Sequence, residues 1–170
     1  MKRIFVAVNL PKEIKESLEK AKEPFEEGAV RWVKKENLHI TLLFLGDIKE
    51  EGVDDIYKKL KDLLKQEKSF FLETKKIEYD NIYNPRLIWV VLKENKGLEQ
   101  IARSLGNVKF KPHITLARIK AWAFKAIEVE ERPVIEKAIN LSFSIDSIEI
   151  MESILKKTGP EYKVLKSIKL

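Results

Sequence analysis

Apolar positions recur either every second residue or every third to fourth residue along most of the chain, which divides it into strands and helices. Arg3 to Asn9 (RIFVAVN) alternates as a strand does. Pro11 stands where a helix begins, and Ile14, Leu18, Ala21 and Phe25 follow at helical spacing, with Gly28 expected to end the helix. Val30 to Val33 predicts a short strand, and Leu38 to Leu45 (LHITLLFL) a longer one closed by Gly46. Between Glu50 and Gln66, Val53, Ile56, Tyr57, Leu60, Leu63 and Leu64 again keep helical time. Phe70 to Tyr79 and Leu87 to Leu92 predict strands joined by the turn-rich run from Asp80 to Pro85. A short helix from Lys96 to Leu105 follows, and Phe110-Lys111-Pro112 forces an extended entry into His113 to Ile119 (HITLARI), because the residue before proline avoids the helical region. Ala121 to Ile139 has a helical pattern broken at Pro133. Leu141 to Met151 and Tyr162 to Leu170 are the last predicted strands, with Gly159-Pro160 between them. The elements interleave without the strict alternation of a doubly wound sheet, so the expected class is α+β with antiparallel or mixed sheets.

Two of these strands carry the chemistry. The chain has two histidines, and both open the same tetrapeptide, His39-Ile40-Thr41-Leu42 and His113-Ile114-Thr115-Leu116. In a strand, residues i and i+2 share a face about 6.6 Å apart. His39 therefore stands beside Thr41 and His113 beside Thr115, while Ile40, Leu42, Ile114 and Leu116 point the other way into apolar packing. A single His-x-Thr in a strand is commonplace; a verbatim pair holding every histidine of the chain is not. If the two strands meet, two imidazoles and two hydroxyls converge on one cleft. That set suits attack on phosphorus, which needs a proton taken from the nucleophile and another given to the leaving oxygen on opposite sides of the phosphate. The hydroxyls can donate to the non-bridging oxygens as their charge grows. His-x-Thr lacks the carboxylate or second histidine that zinc and non-haem iron motifs place nearby, so neither a metal nor another cofactor is expected.

Composition narrows the setting. The 170 residues are 44% hydrophobic and 35% charged, which fits one globular domain over 1–170 and excludes a disordered tail protein. Lys and Arg number 33 against 27 Asp and Glu, a net +6, which favours an anionic partner such as nucleic acid. No apolar run approaches the roughly twenty residues that cross a bilayer, and the N-terminus does not read as a signal peptide. Cysteine is absent, so thiol nucleophiles and disulfides are excluded and a cytoplasmic location is expected.

The paired motifs and their flanks resemble the 2H phosphoesterase superfamily, and within it the RNA 2′,3′-cyclic phosphodiesterase family, also called 2′-5′ RNA ligase. The resemblance spans nearly the whole chain: Arg3 to Val8 with Leu10-Pro11; Asn37-Leu38-His39-Ile40-Thr41-Leu42 with Phe44-Leu45-Gly46; Pro85-Arg86-Leu87-Ile88-Trp89; Phe110 to Arg118; and a last strand carrying Ser153 with the turn Gly159-Pro160 and Tyr162. It implies two intertwined lobes, one motif in each, with antiparallel sheets related by a pseudo-twofold axis and helices outside. It implies metal-independent opening of RNA 2′,3′-cyclic phosphate ends to 2′-phosphomonoesters, with 2′-5′ ligation as a side activity; a monomer is the default expectation for a cleft enzyme of this size. His39 and His113 become the acid–base pair, His39 facing the leaving oxygen unless near-symmetry reverses the roles. Thr41, Thr115 and Arg118 become phosphate ligands. Arg118 poses a geometric question, since it lies five residues after His113 and an unbroken strand would aim it away from the cleft. A strand end or a bulge near Ala117 would resolve it, as would an arginine reaching round the rim. The stretch from Gly97 to Lys109 is shorter than the family pattern. Phe44, Tyr83 and Trp89 are candidate base-stacking rings, although Phe44 and Trp89 sit in apolar strands that suit the core, and Arg86 is a candidate phosphate contact. Alternatives are a phosphodiesterase acting on a small cyclic nucleotide and a nucleotide-binding module without turnover.

Overall fold

The computed structural model describes residues 1–22, 29–125, 127, 134–157 and 159–170. In chain order the elements are β1 (Lys2–Asn9), α1 (Lys12–Lys20), β2 (Val30–Trp32), a 3-10 turn (Lys35–Asn37), β3 (His39–Ile48), α2 (Gly52–Leu64), β4 (Phe70–Tyr79), β5 (Leu87–Leu92), α3 (Lys96–Ser104), β6 (His113–Ile119), α4 (Ala121–Lys125), β7 (Lys137–Ala138), β8 (Ser142–Ile145), β9 (Ser147–Lys156) and β10 (Gly159–Lys169). One sheet has the order β10-β9-β1-β3, the other β2-β6-β5-β4-β7 with β8 on β4, and the strand pairings are antiparallel. This is the expected α+β class. Among the described residues no helix is long and apolar enough to cross a membrane.

Strand alternation explains the layering. On β1, Ile4, Val6 and Val8 join a core cluster that also takes Ile40 and Leu42 of β3, Ile88 and Val90 of β5, and Ile114 and Leu116 of β6. The intervening Phe5 and Ala7 pack on the opposite face with Met151 and Tyr162. The even positions of both His-x-Thr strands are therefore anchored in one core, which leaves the odd positions for the cleft.

Both motif strands bulge directly after the motif. Along β1 and β3, Ala7 pairs with Thr41 but Val6 with Leu43, so Leu42 is an extra residue; a second bulge at Leu45 separates the pairs Phe5–Phe44 and Ile4–Gly46. Along β5 and β6, Trp89 pairs with Thr115 but Ile88 with Ala117, so Leu116 is the extra residue. Leu42 and Leu116 hold the same place in their motifs. An inserted residue resets the alternation, and Leu116 and Ala117 are accordingly both buried.

Several boundaries differ from the sequence reading. α1 ends at Lys20, and Phe25 and Gly28 lie outside the described residues. Gly46 does not close β3 but sits inside it at φ +80°, next to the second bulge, where a side chain would be strained. Of the helical pattern from Ala121 to Ile139, the described residues give α4 and then β7, which pairs with Lys76 and Ile77; Pro133 lies outside the described residues. The run from Leu141 to Met151 splits at Asp146 into β8, on β4, and β9, on β1, because the chain changes sheets there. Gly159-Pro160 does not separate the last two strands but belongs to their ladder, since β9 runs on to Lys156 and β10 starts at Gly159.

Candidate active site

β3 is the edge of its sheet and packs against β6 of the other, so the two motifs meet. His39, Thr41, His113, Thr115 and Arg118 all line one cavity of about 960 Å³. The structure thus brings both histidines, both threonines and Arg118 to one cavity. The bulge at Leu116 answers the geometric question: it returns Arg118 to the face of Thr115. Its counterpart after the bulge in β3 is Phe44, which lines the same cavity and is 72% exposed.

Each imidazole is held by the backbone just upstream. His39 Nδ1 lies 2.6 Å from the carbonyl oxygen of Asn37, and His113 Nδ1 lies 2.7 Å from that of Lys111. A carbonyl only accepts, so Nδ1 carries the proton in both neutral rings and Nε2 is left for chemistry. In the first motif Nε2 accepts from Thr41 Oγ1 at 2.8 Å. Asn37, itself buried, fastens this region to the β9–β10 hairpin: its Nδ2 donates to Pro160 O at 2.7 Å, and its Oδ1 accepts from Tyr162 N at 3.3 Å. The Tyr162 ring meets His39 edge-on at 5.1 Å, with Phe5 on another side at the same separation. Trp89 packs on His113 at 4.5 Å. Asn107, just past α3, donates from Nδ2 to Leu42 O at 2.8 Å, so the short connection before the second motif is tied to the bulge of the first.

The electrostatics are one-sided. Arg3, Arg31, Lys34, Lys109, Lys111 and Arg118 line the cavity, and no described lining residue is acidic. Burial pushes the His39 imidazole down to about 4; the Asn37 carbonyl opposes this, while Lys15, His113 and Arg118 add to it by repulsion. Lys15 lies behind the site, donating to Asn9 Oδ1 at 2.8 Å and Glu36 O at 2.9 Å. Burial lowers His113 as well, opposed by the Lys111 carbonyl and by the charge of Asp80.

Of the three rings considered for a nucleobase, Phe44 offers an open face in the cavity and Trp89 lies against His113, while Tyr83 and Arg86 are not among the lining residues. Sequence reasoning missed Asn37, Asn107 and Arg31. The asparagines could not be found from local pattern, since Asn37 reaches residues more than a hundred positions away. Arg31 had a signal: a lone cation in the strand that immediately precedes the first motif.

The chain is similar to known proteins over nearly its whole length. The family model described as LigT-like phosphoesterase matches residues 8–89, which include the first motif. Curated relatives extend the match over the second motif. A protein of Methanocaldococcus jannaschii named RNA 2′,3′-cyclic phosphodiesterase is 33% identical, covering 96% of this chain and 98% of its own. One of the same name from Thermotoga maritima is 32% identical over 96% of this chain and 92% of its own. Among solved structures, TT0787 of Thermus thermophilus superposes with a TM-score of 0.83 at 31% identity, over 99% of this chain and 97% of that one. Escherichia coli LigT complexed with phosphate gives a TM-score of 0.79 at 27% identity, with coverage of 99% and 97%. With twin motif strands on one cleft and relatives of matching length, the chain belongs to the LigT-like phosphoesterases of the 2H phosphoesterase superfamily.

Proposed function

We propose that the protein is a metal-independent RNA 2′,3′-cyclic phosphodiesterase. Water adds to the phosphorus of a terminal cyclic phosphate, the P–O3′ bond breaks, and a 2′-phosphomonoester beside a free 3′-hydroxyl remains. The observation that carries this reading is the single cavity shared by both His-x-Thr copies, each imidazole oriented through Nδ1 by its own carbonyl. One neutral ring takes the water proton at Nε2 while the other, protonated there, gives its proton to O3′. Thr41, Thr115 and Arg118 bind the phosphate oxygens. An RNA 5′-hydroxyl in place of water follows the same proton flow and forms a 2′-5′ linkage, so ligation belongs to the same site. The names of the curated relatives and the LigT complex with 3′-AMP support a ribonucleotide substrate. The cationic lining and the size of the cavity favour an RNA end over a small cyclic nucleotide.

The test is incubation with a 2′,3′-cyclic mononucleotide and with a short RNA bearing the same end, both in excess chelator. Exclusive 2′-phosphate product is expected from each. A 3′-phosphate product, loss of activity in chelator, or saturable binding without turnover would each overturn the reading, the last in favour of a binding module.

The pH dependence follows from burial. Turnover needs one protonated and one neutral imidazole. In the free site that state is populated between the His39 value of about 4 and the lowered value of His113. A plot of kcat/KM against pH should therefore be a bell with its maximum on the acid side of the ordinary histidine value. A bound phosphodiester anion stabilises imidazolium and raises both values, so the bell in kcat should lie at higher pH. The anion thus offsets the burial that disfavours imidazolium in the empty site. Coincident profiles would show that the imidazoles do not sense the phosphate.

A further inference from the structure

Arg31 of β2 lies directly opposite Arg118 of β6 in an antiparallel ladder. Residues so paired point to the same face with Cα atoms about 4.5–5.5 Å apart, and like charges in that relation destabilise a sheet. Here both arginines line the cavity, none of its described lining residues is acidic, and neither arginine forms an ion pair among the described residues. Two unbalanced guanidinium groups side by side form a site for anions, and their bidentate geometry suits phosphate.

The two are not equivalent. Arg118 is on the strand of His113 and lines the cavity on the face of Thr115, beside both motifs. Arg31 is one strand further out and is not among the charges acting on either imidazole. It is also on the edge strand of its sheet, at the outer margin of the cavity lining.

We propose that Arg31 binds a second phosphate of the substrate, the internucleotide phosphate on the 5′ side of the cyclic end. The ligand class is thus an oligoribonucleotide with at least two phosphates, and the protein discriminates against cyclic mononucleotides. This rests on the hydrolytic reading above but goes beyond it, since that reading needs only the reacting phosphate.

The test compares wild type with Arg31→Gln on three substrates: a cyclic mononucleotide, a dinucleotide ending in the same cyclic phosphate, and that dinucleotide with a neutral methylphosphonate linkage. A charge-assisted contact predicts that Arg31→Gln lowers kcat/KM on the phosphate-linked dinucleotide by roughly ten- to a hundredfold. The losses on the other two substrates should be several times smaller. Equal losses on all three would overturn the proposal by placing Arg31 at the reacting phosphate or in the scaffold, as would no loss on any. Wild type that opens none of the three sinks the hydrolytic reading alone. The second site then stands or falls on whether the charged dinucleotide binds more tightly than the methylphosphonate one, and loses that margin in Arg31→Gln.

Discussion

Alanine at His39 or at His113 should lower kcat by about 10²–10⁴-fold, the range that general acid–base catalysis contributes, with KM changing little. The two effects should not multiply. In the proposed mechanism, proton removal from water and proton delivery to O3′ belong to one displacement at one phosphorus, so losing either stalls the same transition state. The double variant should be only slightly slower than the worse single variant. A substrate with a p-nitrophenolate leaving group distinguishes the partners, because such a group departs without a proton. The variant lacking the acid should regain most of its rate on that substrate, and the variant lacking the base should not. Steady-state rates of the three variants on both substrates decide the matter. Full activity in either single variant would remove the paired mechanism.

Loss of Arg118 should have the second largest effect, about 10²-fold in kcat for Arg118→Ala, comparable to the removal of one donor aimed at developing charge. Arg118→Lys should recover part of this, since an ammonium keeps the charge but not the planar two-point contact. The same substitution to alanine removes a cation that repels the His39 imidazolium. The lower limb of the kcat/KM bell should therefore move to higher pH in Arg118→Ala. A pH–rate series on wild type and both variants measures rate and limb together. An unchanged rate would place Arg118 on the rim with no hand in the reaction.

How much of this was visible in the residues alone depended on range. β4, β5 and β6 begin and end where alternation and turn residues predicted, because each run of strand-forming residues is bounded by polar, charged or proline positions. The pairing of the two motifs was legible because the repeat is verbatim and strand geometry assigns its faces. The bulges were only half legible. Leu116-Ala117 and Leu42-Leu43 are consecutive apolar pairs that could mark an inserted residue, yet an apolar pair is equally compatible with a strand buried on both faces, as β1 is. The part of the helical pattern beyond Pro133 is not helical at Lys137–Ala138, because helical spacing in a short window is weak beside tertiary pairing and these residues pair with β4. The fastening of the first motif by Asn37 to Pro160 and Tyr162 was out of reach, since nothing local marks a side chain that bonds across so much sequence.

That long-range fastening bears on how the protein is made. The sheet holding His39 is completed by β9 and β10, so a chain still on the ribosome presents both motifs before the hairpin that seats Tyr162 against the first imidazole has emerged. Such an unfinished chain would carry the basic residues that attract RNA without the framework that aims the chemistry. Competence should therefore arrive late and all at once, after synthesis has passed Tyr162, and translating ribosomes should be spared a half-built nucleic-acid enzyme at their exit.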